Sequence, residues 1–157
     1  DYKTAAKILK RGLEANPNEP AFLNNLAYTY ALDGKLIEAN EIIHRINKVS
    51  DIGEKTRICL TATRGLIAYR EKRIKEGRAL YLEAIKAANN IADDPTYNWN
   101  AILNFIREDI LATNIIPSDV ETVLSQIHET PKDKGVKTLK QDILKLIAKG
   151  RTASFYR

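Results

Sequence analysis

Residues with the makings of chemistry are few in this chain. There are two histidines and one cysteine among 157 residues. Glu41-Ile42-Ile43-His44 has the Glu-x-x-His form that places a carboxylate and an imidazole one turn apart on a helix, the half-motif of di-metal bundles. Such a centre needs a second copy and further carboxylates, and His128 has Ser125 three places before it rather than Glu. Glu41 and His44 are therefore expected on a solvated face, with no metal and no cofactor. Cys59 has no His near it in sequence to draw off its proton. It reads as a small half-buried residue, and a lone cysteine suits a reducing compartment. Phosphate-cradling glycine loops, nucleophile elbows and Cys-x-x-Cys pairs are all missing from the sequence. The expectation is that the chain is not an enzyme.

Charge offers a different chemistry. Residues 131–157 hold eight Lys or Arg against two acids, so a net +5 for the chain leaves −1 for the rest. A second block over 55–78 holds Lys55, Arg57, Arg64, Arg70, Lys72, Arg73, Lys75 and Arg78 against Glu71 and Glu76. Phosphates or acidic peptides are the partners that such blocks fit. Aromatic residues interleave poorly with them, which argues against stacking on single-stranded nucleic acid. An accessory nucleic-acid-binding role for patches 55–78 and 131–157 stands as the alternative reading. Solvated helix faces are the plainer account of the same residues.

The elements that position these residues are helices. Leu23, Leu26, Ala27 and Tyr30 recur at three- and four-residue intervals, the mark of one helix face. Asp33-Gly34-Lys35 interrupts them, with Gly34 suited to the left-handed residue that ends a helix. Leu36, Ala39, Ile42, Ile43 and Ile46 begin a second stripe, and the short connector makes the two helices antiparallel. A shift of 34 places back turns Ala39 into Ala5 and Ile43 into Leu9, with Pro17 at the end of the unit. A shift of 38 forward turns Ala27 into Gly65, Ala39 into Gly77 and Ile43 into Tyr81. The chain is internally repetitive.

Further helices follow from the punctuation. Asn18 is the expected N-cap before Pro20, and Asp51 with Glu54 and Ser118 with Glu121 have the form of capping boxes. Asp93-Asp94-Pro95 opens a helix to about Thr113 that is apolar on several sides. A short helix ends near Glu129. Thr130-Pro131-Lys132-Asp133 begins a last one, expected to stop at Gly150. Val136, Leu139, Ile143, Leu146 and Ile147 form its core stripe, with Lys134, Lys137, Lys140, Lys145 and Lys149 outward. No segment alternates with period two, and no run is long and apolar enough to suggest a membrane span.

The pattern from Leu23 to Ile46, with its repeats, resembles the tetratricopeptide repeat (TPR) family. Leu23, Leu26, Ala27 and Tyr30 match its first helix, and Ala39 and Ile43 its second. The resemblance implies an all-α, right-handed superhelix of antiparallel helix pairs, about eight helices with a C-terminal capping helix. Residues 1–92 would be TPR-like repeats, the first truncated; 93–150 a degenerate repeat with capping helices; and 151–157 a basic tail. The chain, which lacks Met and opens mid-repeat, reads as a piece of a longer protein, with the cytoplasm as the expected compartment. The family implies a protein-interaction scaffold whose concave groove takes a peptide or helix of a protein partner. By position, that groove would use Asn24, Asn25, Tyr28, Leu66, Tyr69 and Arg70, along with Cys59 and Ala62. Asn25 matches an Asn of the carboxylate clamp of chaperone-tail binders, but Asn24, Cys59 and Thr63 stand where its cations belong. A regulatory domain of a larger enzyme is a further alternative.

Overall fold

The computed structural model describes residues 1–91, 94–127 and 134–155. In chain order the helices are α1 (Tyr2–Ala15), α2 (Pro20–Leu32), α3 (Leu36–Ile46), α4 (Glu54–Arg70), α5 (Ile74–Ala88), α6 (Thr96–Thr113), α7 (Val120–Gln126) and α8 (Lys134–Phe155). Among the described residues there is no strand.

Helix α1 packs on α2, α2 pairs with α3, and α4 pairs with α5. Between pairs, α2 lies on α4 and α4 on α6, while α3 touches α4 and α5 touches α6. The first helix of each pair thus stacks on the first helix of the next, the pattern of a TPR-like helical solenoid. Helix α6 packs on α4, α5 and α8, which is why its sequence is apolar on more than one side.

Small residues make the close approach. Ala27 and Ala39 have no exposed surface and share one core with Leu23, Leu26, Ile43 and Ile46. In the next pair their equivalents are Gly65 and Gly77, and the space of the missing methyls goes to rings. A Cβ on Gly65 would stand 3.0 Å from Tyr81, and one on Gly77 2.6 Å from Tyr69. Tyr69, Tyr81 and Phe105 then continue as a ladder, with ring centroids 6.0 Å and 5.8 Å apart.

The turns repeat as well. Gly34 has φ of +78°, and Lys72, 38 places on, has φ of 66°. Lys35 N–H donates to the Tyr30 carbonyl at 2.9 Å, and Arg73 N–H to the Ala68 carbonyl at 2.8 Å. Both helices therefore end in the same six-residue closure around one left-handed residue.

Several expected helix ends differ. Glu19, not Asn18, caps α2, its carboxylate accepting from Ala21 N–H at 3.4 Å. Asn18 instead faces Arg45. Neither capping box forms: Gly53 and Asp119 occupy the cap positions, without side-chain cap bonds. Helix α8 does not stop at Gly150 but continues to Phe155. Gly150 is small because a Cβ there would meet Ile116 at 2.6 Å. It is a packing residue rather than a helix stop. The expected cap at 130–133 lies outside the described residues, as do Asp93 and His128.

Candidate interaction groove

Helices α2, α4 and α6 present one face each to a shared hollow, and the start of α8 forms its rim. Asn24, Asn25 and Tyr28 come from α2, Ile58, Cys59, Ala62 and Thr63 from α4, and Tyr97, Asn100, Ala101, Asn104 and Arg107 from α6. Each set follows the one-, three- and four-residue steps that keep side chains on one side of a helix. Gly135, Thr138, Leu139 and Asp142 close the α8 side, and the hollow measures about 740 Å³. Its apolar floor is Ile58, Ala62, Ala101 and Leu139. Polar groups, mostly amides and hydroxyls, stand above it.

One polar chain braces the wall. Tyr28 Oη donates to Asn104 Oδ1 at 2.9 Å, and Arg107 Nη2 donates to the same oxygen at 2.9 Å. Asn104 Nδ2 in turn donates to the Asn100 carbonyl at 2.8 Å. Arg107 Nε donates to Glu108 Oε1 at 3.0 Å. Glu108 is 2% exposed and also accepts from Arg70 Nη2 at 3.0 Å. A carboxylate taken out of water is thus held between two guanidiniums, the arrangement that buried charge requires.

Asn24 is different. It is 4% exposed and lines the hollow, yet its Oδ1 has no hydrogen-bond partner. A buried carbonyl oxygen left without a donor costs about 1–3 kcal/mol.

The expected site residues divide. Asn24, Asn25 and Tyr28 line the hollow, with Cys59 and Ala62 beside them. Leu66, Tyr69 and Arg70 lie off it. Leu66 has no exposed surface and belongs to the core. Tyr69 is 2% exposed and donates from Oη to Asp109 Oδ1 at 2.7 Å. The Arg70 head is taken by Glu108. The reason is α6, whose Glu108 and Asp109 cover the C-terminal end of α4. Asn100, Asn104 and Arg107 are groove residues that position-matching missed. Their signal was a polar stripe at i, i+4 and i+7 in an otherwise apolar helix.

The remaining chemistry is muted. Burial pushes the Cys59 thiol above its ordinary value, the wrong direction for a nucleophile. Glu41 and His44 are exposed, and no group of three or more metal-ligating side chains occurs among the described residues. No described helix is long and apolar enough to cross a membrane. Three of the eight cations of the 55–78 block are ion-paired. Arg70 meets Glu108, Arg73 meets Glu71 and Glu76, and Arg78 meets Asp109 at 2.8 Å.

Residues 8–39, covering the end of α1, all of α2 and the start of α3, match the profile described as Tetratricopeptide repeat. The segment is a TPR. No curated protein and no solved structure shows significant similarity to the chain. A TPR suggests a protein–protein interaction module, and the α4–α5 pair, stacked on α2 and α3, repeats its geometry with glycines in place of alanines.

Proposed function

We propose that this chain is a non-catalytic interaction scaffold that holds an extended segment of a partner protein in the α2–α4–α6 groove. The observation that carries the reading is the unpartnered Oδ1 of buried Asn24. An extended chain has free N–H and C=O groups at every residue, whereas a helix has used its own. Asn24 turns its amide outward to accept a backbone N–H, exposed Asn25 adds a donor and an acceptor, and a ligand side chain rests on Ile58, Ala62 and Ala101. Acidic and basic rim residues are mixed, with Asp94 and Asp142 against Arg107 and Lys134. Shape and amide bonding, rather than net charge, then select the ligand. The ion pairs of the 55–78 block weigh against the nucleic-acid alternative.

A random-peptide display selection followed by calorimetry tests the proposal with Asn24→Leu. Replacing an unsatisfied buried amide by an apolar group of like size leaves stability equal or higher. Peptide affinity falls roughly tenfold, as for the loss of one buried hydrogen bond. Selected peptides that bind Asn24→Leu and Asn25→Ala as tightly as the parent overturn the reading.

A further inference from the structure

A second surface lies on the other side of α2, between α1 and the α2–α3 hairpin. Two adjoining hollows of about 600 and 460 Å³ share Lys10, Glu14, Tyr30 and Glu38. Ala6, Leu13, Leu26 and Ile42 give them an apolar floor. Lys3, Lys7, Lys10 and Arg11 come from α1, and Lys35 is the cap residue just before α3. Lys3, Lys7 and Arg11 are exposed, and none has an ion-pair partner among the described residues. Lys10 and Lys35 converge on one ring, with Nζ atoms 5.7 Å and 5.8 Å from the Tyr30 centroid. Only Lys35 has a carboxylate, Asp33 at 2.5 Å.

These cations do not serve their own helix. A helix prefers acids in its first turn and bases in its last. Beyond its N-cap, Asp1, helix α1 has neither; Lys3 stands in its first turn and Glu14 in its last. Charge that runs against the helix dipole and gathers unpaired over an apolar trough is a local conflict of the kind found at binding sites.

We propose that this trough docks an acidic amphipathic helix of a partner protein, independently of the concave groove. Lys3, Lys7 and Lys10 rise in steps of one turn along one face of α1. A helix lying alongside presents carboxylates at the same i, i+4, i+7 rhythm, with its apolar stripe on the floor. A nucleic acid fits less well. Glu14 and Glu38 border both hollows and Glu41 the second, so a phosphate chain running the whole length meets all three, whereas a short helix places its few carboxylates against Lys3, Lys7 and Lys10 alone.

The test uses the whole chain and a fluorescent helical peptide about three turns long, with Leu and Ala on one side and Glu at i, i+4 and i+7 on the other. A Lys-for-Glu isomer and a short RNA duplex are the comparison probes. The Glu peptide binds in anisotropy titrations and the Lys isomer does not. Lys3→Glu with Lys7→Glu weakens binding roughly tenfold or more. Both positions are exposed and only the third residue lies in the first turn of α1, beside the Asp1 cap, so the melting temperature changes little. The Lys3→Gln/Lys7→Gln pair weakens binding less. Lys75→Glu with Lys86→Glu, exposed on α5, changes it by less than about twofold. The proposal is overturned if the Glu peptide fails to bind, if the α5 pair weakens it as much as the α1 pair, or if the RNA duplex binds more tightly and is lost in the α1 pair.

Discussion

Gly77→Ala probes how the second helix pair closes. The new methyl would lie 2.6 Å from Tyr69 Cδ2, 2.9 Å from Cε2 and 3.1 Å from Cγ. Carbon atoms in contact rest about 3.5–4.0 Å apart, so the ring must withdraw by roughly 1 Å. It has nowhere to go. Its hydroxyl is held by Asp109 at 2.7 Å, and its ring is tilted at 46° against Tyr81, centroids 6.0 Å apart. Overpacking of this kind costs about 1–3 kcal/mol, and contact with a tethered ring belongs at the upper end. Alanine returns about 1 kcal/mol of helix propensity. The net loss is about 1–2 kcal/mol, read as a lower midpoint at unchanged slope in urea unfolding. Tyr69→Ala supplies the control, because it removes the ring. In that background Gly77→Ala gains about 1 kcal/mol, and the change of sign is the coupling. Stabilisation by Gly77→Ala in the parent chain, or a loss of equal size in both backgrounds, refutes the close-packing account.

Other perturbations follow from the same geometry. Lys72 holds a left-handed conformation that favours glycine, so Lys72→Gly raises stability by about 0.5–1 kcal/mol in thermal or urea unfolding. Glu108→Gln leaves Arg70 and Arg107 without their shared carboxylate and lowers stability by about 2–4 kcal/mol, less than a fully buried case because the Arg70 side chain is one-third exposed at 34%. Burial pushes the Asp109 carboxyl up, but hydrogen bonds from Arg78 and Tyr69 outweigh it and hold the group below the usual aspartate range. Its contribution is therefore complete above the unfolded-state value and is lost as pH falls through the folded one. Asp109→Asn flattens the acid limb of a stability-against-pH curve below about pH 4, and an unchanged limb in the variant contradicts that assignment.

The sequence by itself determined the helices and their pairing. Apolar spacing, Gly34 and the short connector fixed the α2–α3 hairpin, and the offset of 38 located its partner in α4–α5; that Lys72 takes up the left-handed conformation of Gly34 was decided by the structure. Spacing, turn and offset are local properties, readable because a helix repeats every few residues. Only the tertiary structure decided which faces stay open. Leu66, Tyr69 and Arg70 sit one and two turns beyond Ala62 on the helix that lines the groove, yet Leu66 is sunk in the core and α6 holds Tyr69 and Arg70 through Asp109 and Glu108. Tyr28 meets Asn104 across 76 positions of sequence. Gly150 looked like a stop and is a seat for Ile116. In each case the deciding contact joins residues far apart in the chain, and helical periodicity carries no information about which neighbour arrives.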